Sequence, residues 1–347
     1  MFDLAQQGSS CFFLGLIMQF QLFSFSRRVA VSILGGLACL LSCSVFAQGN
    51  YPDKAVRVVV GFSAGGSTDV VARVLSKELS EELGQSFIVE NKPGAGSNIA
   101  TEYVVRAPAD GYTLLMMAVT STINQTLYPN LKFDVTKDLV AVGLGAKVPN
   151  LLVVNPKLPV NSVKELVEYA NKNPGKLNFA SSGSGTSIHM TGELFKLNTK
   201  INVSHIPYKG SSPALTDLVG GQVQMMFDNM PSAWPLVQAG KLRALAVTAP
   251  ARSPAAPEVP TMAEAGFEGF DVSSWFGFMA PANTPEAIVQ KLNAAITKAL
   301  LKPEVQKRLM DLGAVTQPMT TAEFSGFVKK EVATWGAVVK AAGVTAD

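Results

Sequence analysis

The segment Val56–Leu83, VRVVVGFSAGGSTDVVARVLSKELSEEL, decides the fold. Its valine run predicts a buried β-strand, and the residues from Thr68 onward have the apolar spacing of an amphipathic helix. Between them, Gly61, Gly65 and Gly66 leave the backbone bare just before the helix begins. Strand, glycine loop and helix in this order form the repeating unit of α/β folds, and a bare helix N-terminus favours a bound anion. The segment therefore predicts an α/β protein and raises the question of which anion binds there.

The same pattern recurs at Leu177–Leu197, LNFASSGSGTSIHMTGELFKL, and strand-like and helical segments alternate between the two and beyond them. This alternation predicts largely parallel sheets, and two matching loops predict two similar lobes with a cleft lined from both sides. We predict strands at Val56–Gly61, Phe87–Glu90, Thr113–Ala118, Leu177–Ala180, Val203–Pro207, Gln224–Asp228, Leu242–Thr248 and Ser273–Pro281.

The N-terminal residues have the pattern of an export signal. Arg27 and Arg28 precede the uncharged apolar stretch Val29–Leu41, and small Ala47 follows. The apolar stretch is shorter than the roughly 20 residues that span a bilayer. We therefore expect residues 1–47 to be a signal peptide that is removed, with the mature protein in the periplasm. A lipoprotein, with its lipid on Cys43, is the weaker alternative.

Composition excludes several classes of function. All three cysteines, Cys11, Cys39 and Cys43, lie in the leader, so the mature chain has no disulfide and no cysteine metal site. The charges of the full sequence are interspersed and sum to a net +3, which argues against nucleic acid as a partner. The glycines do not fit a dinucleotide or Walker loop, and around Ser184 a serine, Ser182, stands where a hydrolase elbow, G-x-S-x-G, has its first glycine. We expect neither an enzyme nor a bound cofactor or metal.

Hydroxyl-rich turns follow several predicted strands, at VTSTIN, YKGSSPAL and FDNMPS. Ligands in open α/β sheets lie beyond the carboxyl ends of strands, so these turns are candidate pocket walls. Asp228 is interpreted either as an acceptor for a ligand group or as a cap for the helix after Pro231. His189 is either a pocket wall or a satisfied histidine of the core, and Trp275 is a candidate for the cleft. The serines and threonines of the two glycine loops either bind an anion or only cap their helices.

Taken together, the segments YPDKAVRVVVGFSAGGSTDVVAR, NKPGAGSNIA, ADGYTLLM, SSGSGTSIHMTGELF, YKGSSPALTDLVGGQVQMMFDN and VPTMAEAG resemble the Bug family, the extracytoplasmic solute receptors of tripartite tricarboxylate transporters. The resemblance covers residues 51–344. It implies a type II periplasmic-binding-protein fold with crossing hinge strands, in which residues 51–147 plus 276–347 form one lobe and 148–275 the other.

The resemblance also implies which residues hold the ligand. They are Phe62, Ser63, Ala64, Gly65, Thr68, Thr120, Ser121, Ser181, Ser184, Gly185, Thr186, His189 and Asp228. Relatives commonly have a proline-containing turn where this chain has Gly61-Phe62-Ser63. The ligand contact implied for Ser63 therefore falls at a position where this chain departs from the family's pattern.

The implied function is a monomeric receptor that closes on a small organic carboxylate or amino acid and delivers it to the permease subunits of a membrane transporter. The alternative is an exported sensing subunit that acts on a membrane sensor kinase.

Overall fold

A computed structural model describes residues 51–345, so the predictions for the leader and for lipid attachment at Cys43 lie outside the described residues. Residues from Lys54 onward belong to one unit, which contains every contact given below. Among the described residues, no helix is both long and apolar enough to cross a membrane.

Strands and helices alternate along the chain as predicted. In chain order they are β1 Val56–Val60, α1 Ser67–Leu83, β2 Phe87–Asn91, α2 Asn98–Val105, β3 Thr113–Ala118, α3 Thr120–Leu127, β4 Leu139–Val154, α4 Val163–Lys172, β5 Asn178–Ser181, α5 Ser187–Thr199, β6 Ser204–Pro207, α6 Ser211–Gly220, β7 Met225–Asn229, α7 Met230–Gln238, β8 Arg243–Val247, β9 Ser273–Pro281, α8 Glu286–Leu301, α9 Pro303–Asp311 and α10 Thr321–Ala342. A short 3₁₀ turn, Ala95–Ser97, precedes α2.

Two sheets share the long strand β4. In the first sheet β2, β1 and β3 are parallel, and β9 lies antiparallel between β3 and β4. In the second sheet β6, β5 and β7 are parallel, and the end of β4 lies antiparallel between β7 and β8. We call the parts built on β1–β3 and on β5–β8 the first half and the second half. The predicted α/β fold with crossing strands is confirmed, while the lobe boundaries near residues 148 and 276 stay predictions.

The inner strands of the two sheets are mostly apolar and buried, as expected where helices cover both faces of a sheet. Every residue of β3 is buried, for example. The core of the first half contains Trp275 and Phe324, and two further clusters on the two sides of the second sheet contain Phe179 and Trp234. Each half therefore has its own core, and the segment between the cores is the crossing of β4 and β9.

Three expectations from the sequence were wrong in detail. The turn expected at VTSTIN forms the start of α3, and β4 was not predicted at all. Trp275 faces the core instead of the cleft: its indole N–H donates to Glu331 at 2.9 Å, and its ring meets Phe324 and Phe327 edge-on. Successive side chains of a strand point to opposite faces, and Trp275 lies on the face of β9 that is turned toward this core.

Candidate functional site

The N-terminal ends of α1, α3, α5 and α6 converge on one cavity of about 20 Å³, which we call the small cavity. Its walls are mostly hydroxyl-bearing and come from both halves. They are Phe62, Gly66, Ser67, Thr68, Ala118, Thr120, Ser182, Thr186, Ser187, Ser211, Asn229, Ser274 and Phe276. The two glycine loops predicted from the sequence thus line the same cavity.

A second cavity of about 240 Å³, the large cavity, shares Phe62 and Ser182 with the small one. Its other walls are Gly61, Gly94, Ala95, Gly96, Ser97, Tyr128, Gly183, Ser184, Pro207, Tyr208 and Lys209. Among the described residues that line the two cavities, Lys209 is the one with a charged side chain.

Two helix N-termini offer backbone N–H groups around the small cavity. Gly66 precedes α1 in an extended conformation and offers no side-chain cap, so the first N–H groups of this helix have no intrahelical acceptor. Thr186 caps α5: its hydroxyl accepts from the His189 N–H at 3.2 Å and donates to the Gly183 carbonyl at 2.7 Å. Both helices point their positive ends at the cavity, which favours an anion without any cation nearby.

The two halves touch around these cavities. The Ser63 N–H donates to the Lys209 carbonyl at 3.2 Å. The Ser67 and Ser232 hydroxyl oxygens are 2.7 Å apart, and the Ser232 N–H donates to Ser67 Oγ at 3.1 Å. A Cβ added to Gly185 would be 2.6 Å from Asn124 Oδ1, so the loops of the two halves approach to backbone contact there. The halves are therefore closed on each other.

Asp228 is wholly buried beneath the small cavity wall and does not line it. Ser211 Oγ donates to its Oδ1 at 2.6 Å, and Ser232 Oγ donates to its Oδ2. Burial raises the pKa of Asp228 to about 6, although these hydroxyls and the Asn229 N–H lower it. The carboxylate therefore ties together the starts of α6 and α7, which is closer to the capping interpretation than to direct ligand binding.

His189 and His205 brace the glycine loop of the second half. His189 Nδ1 accepts from the Gly185 N–H at 3.2 Å, and the two imidazole rings stack with centroids 4.0 Å apart. His205 Nε2 lies 2.6 Å from Ser181 Oγ, which in turn accepts from the Gly183 N–H at 3.1 Å. Both ends of the loop are thus fixed to one ring stack, and neither ring lines a cavity.

Residues 71–344 match the sequence model of the tripartite tricarboxylate transporter family receptor, TctC. The chain belongs to this family. Receptors of this family are periplasmic solute-binding proteins and not enzymes, and the resemblance to the Bug proteins is confirmed.

Several known proteins are similar to this chain over most of its length. Protein BugT of Bordetella pertussis is 40% identical over 295 residues, 84% of this chain and 90% of BugT. The structure of R. palustris Rpa4515 with adipate has a TM-score of 0.83 and 39% identity, and covers 86% of this chain and 100% of that one. MatC from Rhodopseudomonas palustris with bound malate has a TM-score of 0.79 and 37% identity, over 83% and 100% of the two chains.

The structure separates the predicted site residues of this TctC receptor into two groups. Five line the cavities: Phe62, Thr68, Thr120, Ser184 and Thr186. Eight do not: Ser63, Ala64, Gly65, Ser121, Ser181, Gly185, His189 and Asp228. Ala64 and Gly65 are exposed, and the Gly65 N–H already donates to Asp69 at 2.9 Å.

Sequence reasoning missed several cavity residues. Ser67, Ser182 and Ser187 lie in the two glycine loops themselves, and Ser211 and Asn229 lie in turns that were already marked as pocket walls. The hydroxyl content of these segments was therefore the right signal, although it could not show which hydroxyls face inward. Ser274, in the crossing strand β9, gave no signal.

Proposed function

We propose that this receptor captures a small organic carboxylate or amino acid between its two halves and delivers it to the permease subunits of a tripartite transporter. The supporting observation is the convergence of the α1 and α5 N-termini on one neutral, hydroxyl-lined cavity. The adipate and malate complexes of the two related structures are consistent with a carboxylate as the ligand.

The carboxylate head binds in the small cavity, and the rest of the ligand extends past Phe62 into the large cavity. Phe62, Thr68, Thr120, Ser184 and Thr186 contact the ligand. The remaining predicted residues hold these walls in place, as the hydrogen bonds of Gly65, Ser181, His189 and Asp228 illustrate.

Capture requires the halves to open. A cavity of about 20 Å³ holds little more than one water molecule, so a carboxylate enters only when the halves separate. The halves are the proposed lobes, 51–147 plus 276–347 and 148–275, and they move about the crossing of β4 and β9. A ligand that touches both halves binds best to the closed state and shifts the population toward it.

The mature protein acts in the periplasm as a monomer, after residues 1–47 are removed. Its reversible hold on the ligand suits this role, because neutral donors release an anion more readily than a buried ion pair does.

A screen of small carboxylates by thermal shift, followed by calorimetry, tests the proposal. Binding to the folded state raises the melting temperature. Thr120→Val keeps the shape of the side chain and removes its hydroxyl from the small cavity, so we expect affinity to fall about 5- to 30-fold. Thr216→Val, on the exposed side of α6, is the matched control and should leave affinity unchanged. A protein that binds no carboxylate, or equal affinity in both variants, contradicts the proposal.

A further inference from the structure

Asp228 fixes the direction of two serine hydroxyls. Its Oδ1 accepts from Ser211 Oγ at 2.6 Å, and its Oδ2 accepts from Ser232 Oγ. With a pKa of about 6 the carboxyl is ionised at pH 7.5, and an ionised carboxylate accepts hydrogen bonds but cannot donate them. The hydroxyl hydrogens of Ser211 and Ser232 are therefore both directed at Asp228.

Ser211 lines the small cavity, and its one hydroxyl hydrogen is already committed. A serine hydroxyl has a single hydrogen and two lone pairs, so Ser211 presents lone pairs to the cavity. Ser232 has likewise given its hydrogen to Asp228, so in the pair 2.7 Å apart it is Ser67 that donates to Ser232. Ser67, another wall of the cavity, therefore has no hydroxyl hydrogen left for a ligand either.

The small cavity thus has two chemically different sides. The N-terminal N–H groups of α1 and α5 donate, which suits the oxygens of a carboxylate. The hydroxyl oxygen of Ser211 accepts, and a carboxylate oxygen beside it would leave two acceptors facing each other. A buried acceptor without a donor is costly, and sites of this kind discriminate strongly between ligands that do and do not supply one.

We infer that the ligand carries a hydrogen-bond donor, a hydroxyl or an ammonium, on the carbon next to its carboxylate, and that Ser211 accepts from this donor. This inference rests on the proposed function. A Cβ added to Gly66, at the start of α1, would lie 3.7 Å from Ser211 Cβ, so a carboxylate held by the first N–H groups of α1 has its neighbouring carbon beside Ser211. Asp228 acts through Ser211 as a positioning residue and does not touch the ligand.

Matched acids that differ only at this carbon test the inference. Calorimetry at pH 7.5 compares propionate with lactate and alanine, and succinate with malate and aspartate, using both enantiomers of each substituted acid. We expect the wild-type receptor to bind at least one substituted acid about tenfold or more tighter than its unsubstituted counterpart. Within each series, tighter binding of the hydroxy acid identifies a hydroxyl donor, and tighter binding of the amino acid identifies an ammonium donor.

Ser211→Ala removes the acceptor. We expect this variant to prefer the substituted acid over its unsubstituted counterpart by less than about threefold. The affinity for the substituted acid falls, and the affinity for the unsubstituted acid stays the same or rises. Ser212→Ala is the matched control, because Ser212 is the next residue of α6 and lies outside both cavities. The melting temperature of each variant shows whether it folds, and the wild-type comparison stands without either variant.

Two results overturn the inference and leave the proposed function intact. One is a wild-type receptor that binds unsubstituted acids as tightly as substituted ones, or binds only acids without such a donor. The other is a preference that Ser211→Ala retains. A receptor that binds no carboxylate in the wider screen refutes the proposed function itself.

Discussion

Neutralising the buried carboxylate of Asp228 should stabilise the ligand-free protein at neutral pH. Burial raises the pKa of Asp228 from 3.8 to about 6 in the folded protein. At about 1.4 kcal/mol per unit of pKa shift, the protonated carboxyl contributes about 3 kcal/mol more to the free energy of unfolding than the ionised carboxylate does. The folded state binds the proton more tightly than the unfolded state, so this contribution is fully present below pH 4 and is lost as the pH rises through 6.

Asp228→Asn keeps the shape of the side chain and removes the charge. The amide can accept from one of Ser211 and Ser232 and donate to the other, so both hydrogen-bonded positions stay occupied. We expect the variant to exceed the wild type by about 1–3 kcal/mol in free energy of unfolding at pH 7.5, and to match it more closely at pH 4.5.

Urea unfolding followed by circular dichroism, at several pH values between 4.5 and 7.5, measures this difference. Asp271→Asn, which removes an exposed carboxylate, is the control and should follow the wild type across the range. If Asp228→Asn unfolds with the same pH dependence as the wild type, or is less stable at pH 7.5, then burial does not dominate at this carboxyl and the reasoning is refuted.

Three further variants, one of them with a matched control, test the contacts between the halves and the hydrogen bond that His189 makes to the glycine loop. Gly185→Ala and Gly175→Ala both place a Cβ at positive φ and should lose about 1 kcal/mol of stability, but only the former clashes with Asn124. We expect calorimetry to show at least about tenfold weaker ligand binding for Gly185→Ala alone; equal losses would contradict a contact made on closure. Ser67→Ala removes a hydroxyl that links the halves and should weaken every bound acid by about 1 kcal/mol, whereas a loss confined to one acid would show recognition instead. His189→Phe keeps a stacked ring but removes the acceptor of the Gly185 N–H, so urea unfolding should show a free energy of unfolding lower by about 1–3 kcal/mol. An unchanged free energy of unfolding would show that this hydrogen bond does not stabilise the loop.

Much of the fold was predictable because each local signal agreed with the others. The valine run of β1 and the amphipathic spacing of α1 place both elements within one residue of their predicted bounds. Strand β9 was predicted at its observed bounds. Strand β4 was missed because Gly143, Gly145 and Pro149, residue types that are rare inside strands, interrupt its apolar sequence, although the strand is buried almost throughout.

The site was predictable as a set of loops but not as a set of side chains. Neighbouring residues in a glycine loop point in different directions, so Ser181 turns to His205 while Ser182 lines both cavities. The sequence left His189 open between a pocket wall and a satisfied histidine, and in the structure its ring contacts a backbone N–H and a second imidazole. Such partners come from distant parts of the chain and leave no trace in local sequence.

The position of β9 has a consequence for how the protein comes to be assembled. This strand fills the space between β3 and β4, yet it is synthesised after every strand of the second half. The second half can thus complete its sheet while β3 still has an unpaired edge, and an unpaired apolar edge invites aggregation. Newly made chains should accordingly depend on chaperones until residues 273–281 emerge, and a chain truncated before them should aggregate with its second half already folded.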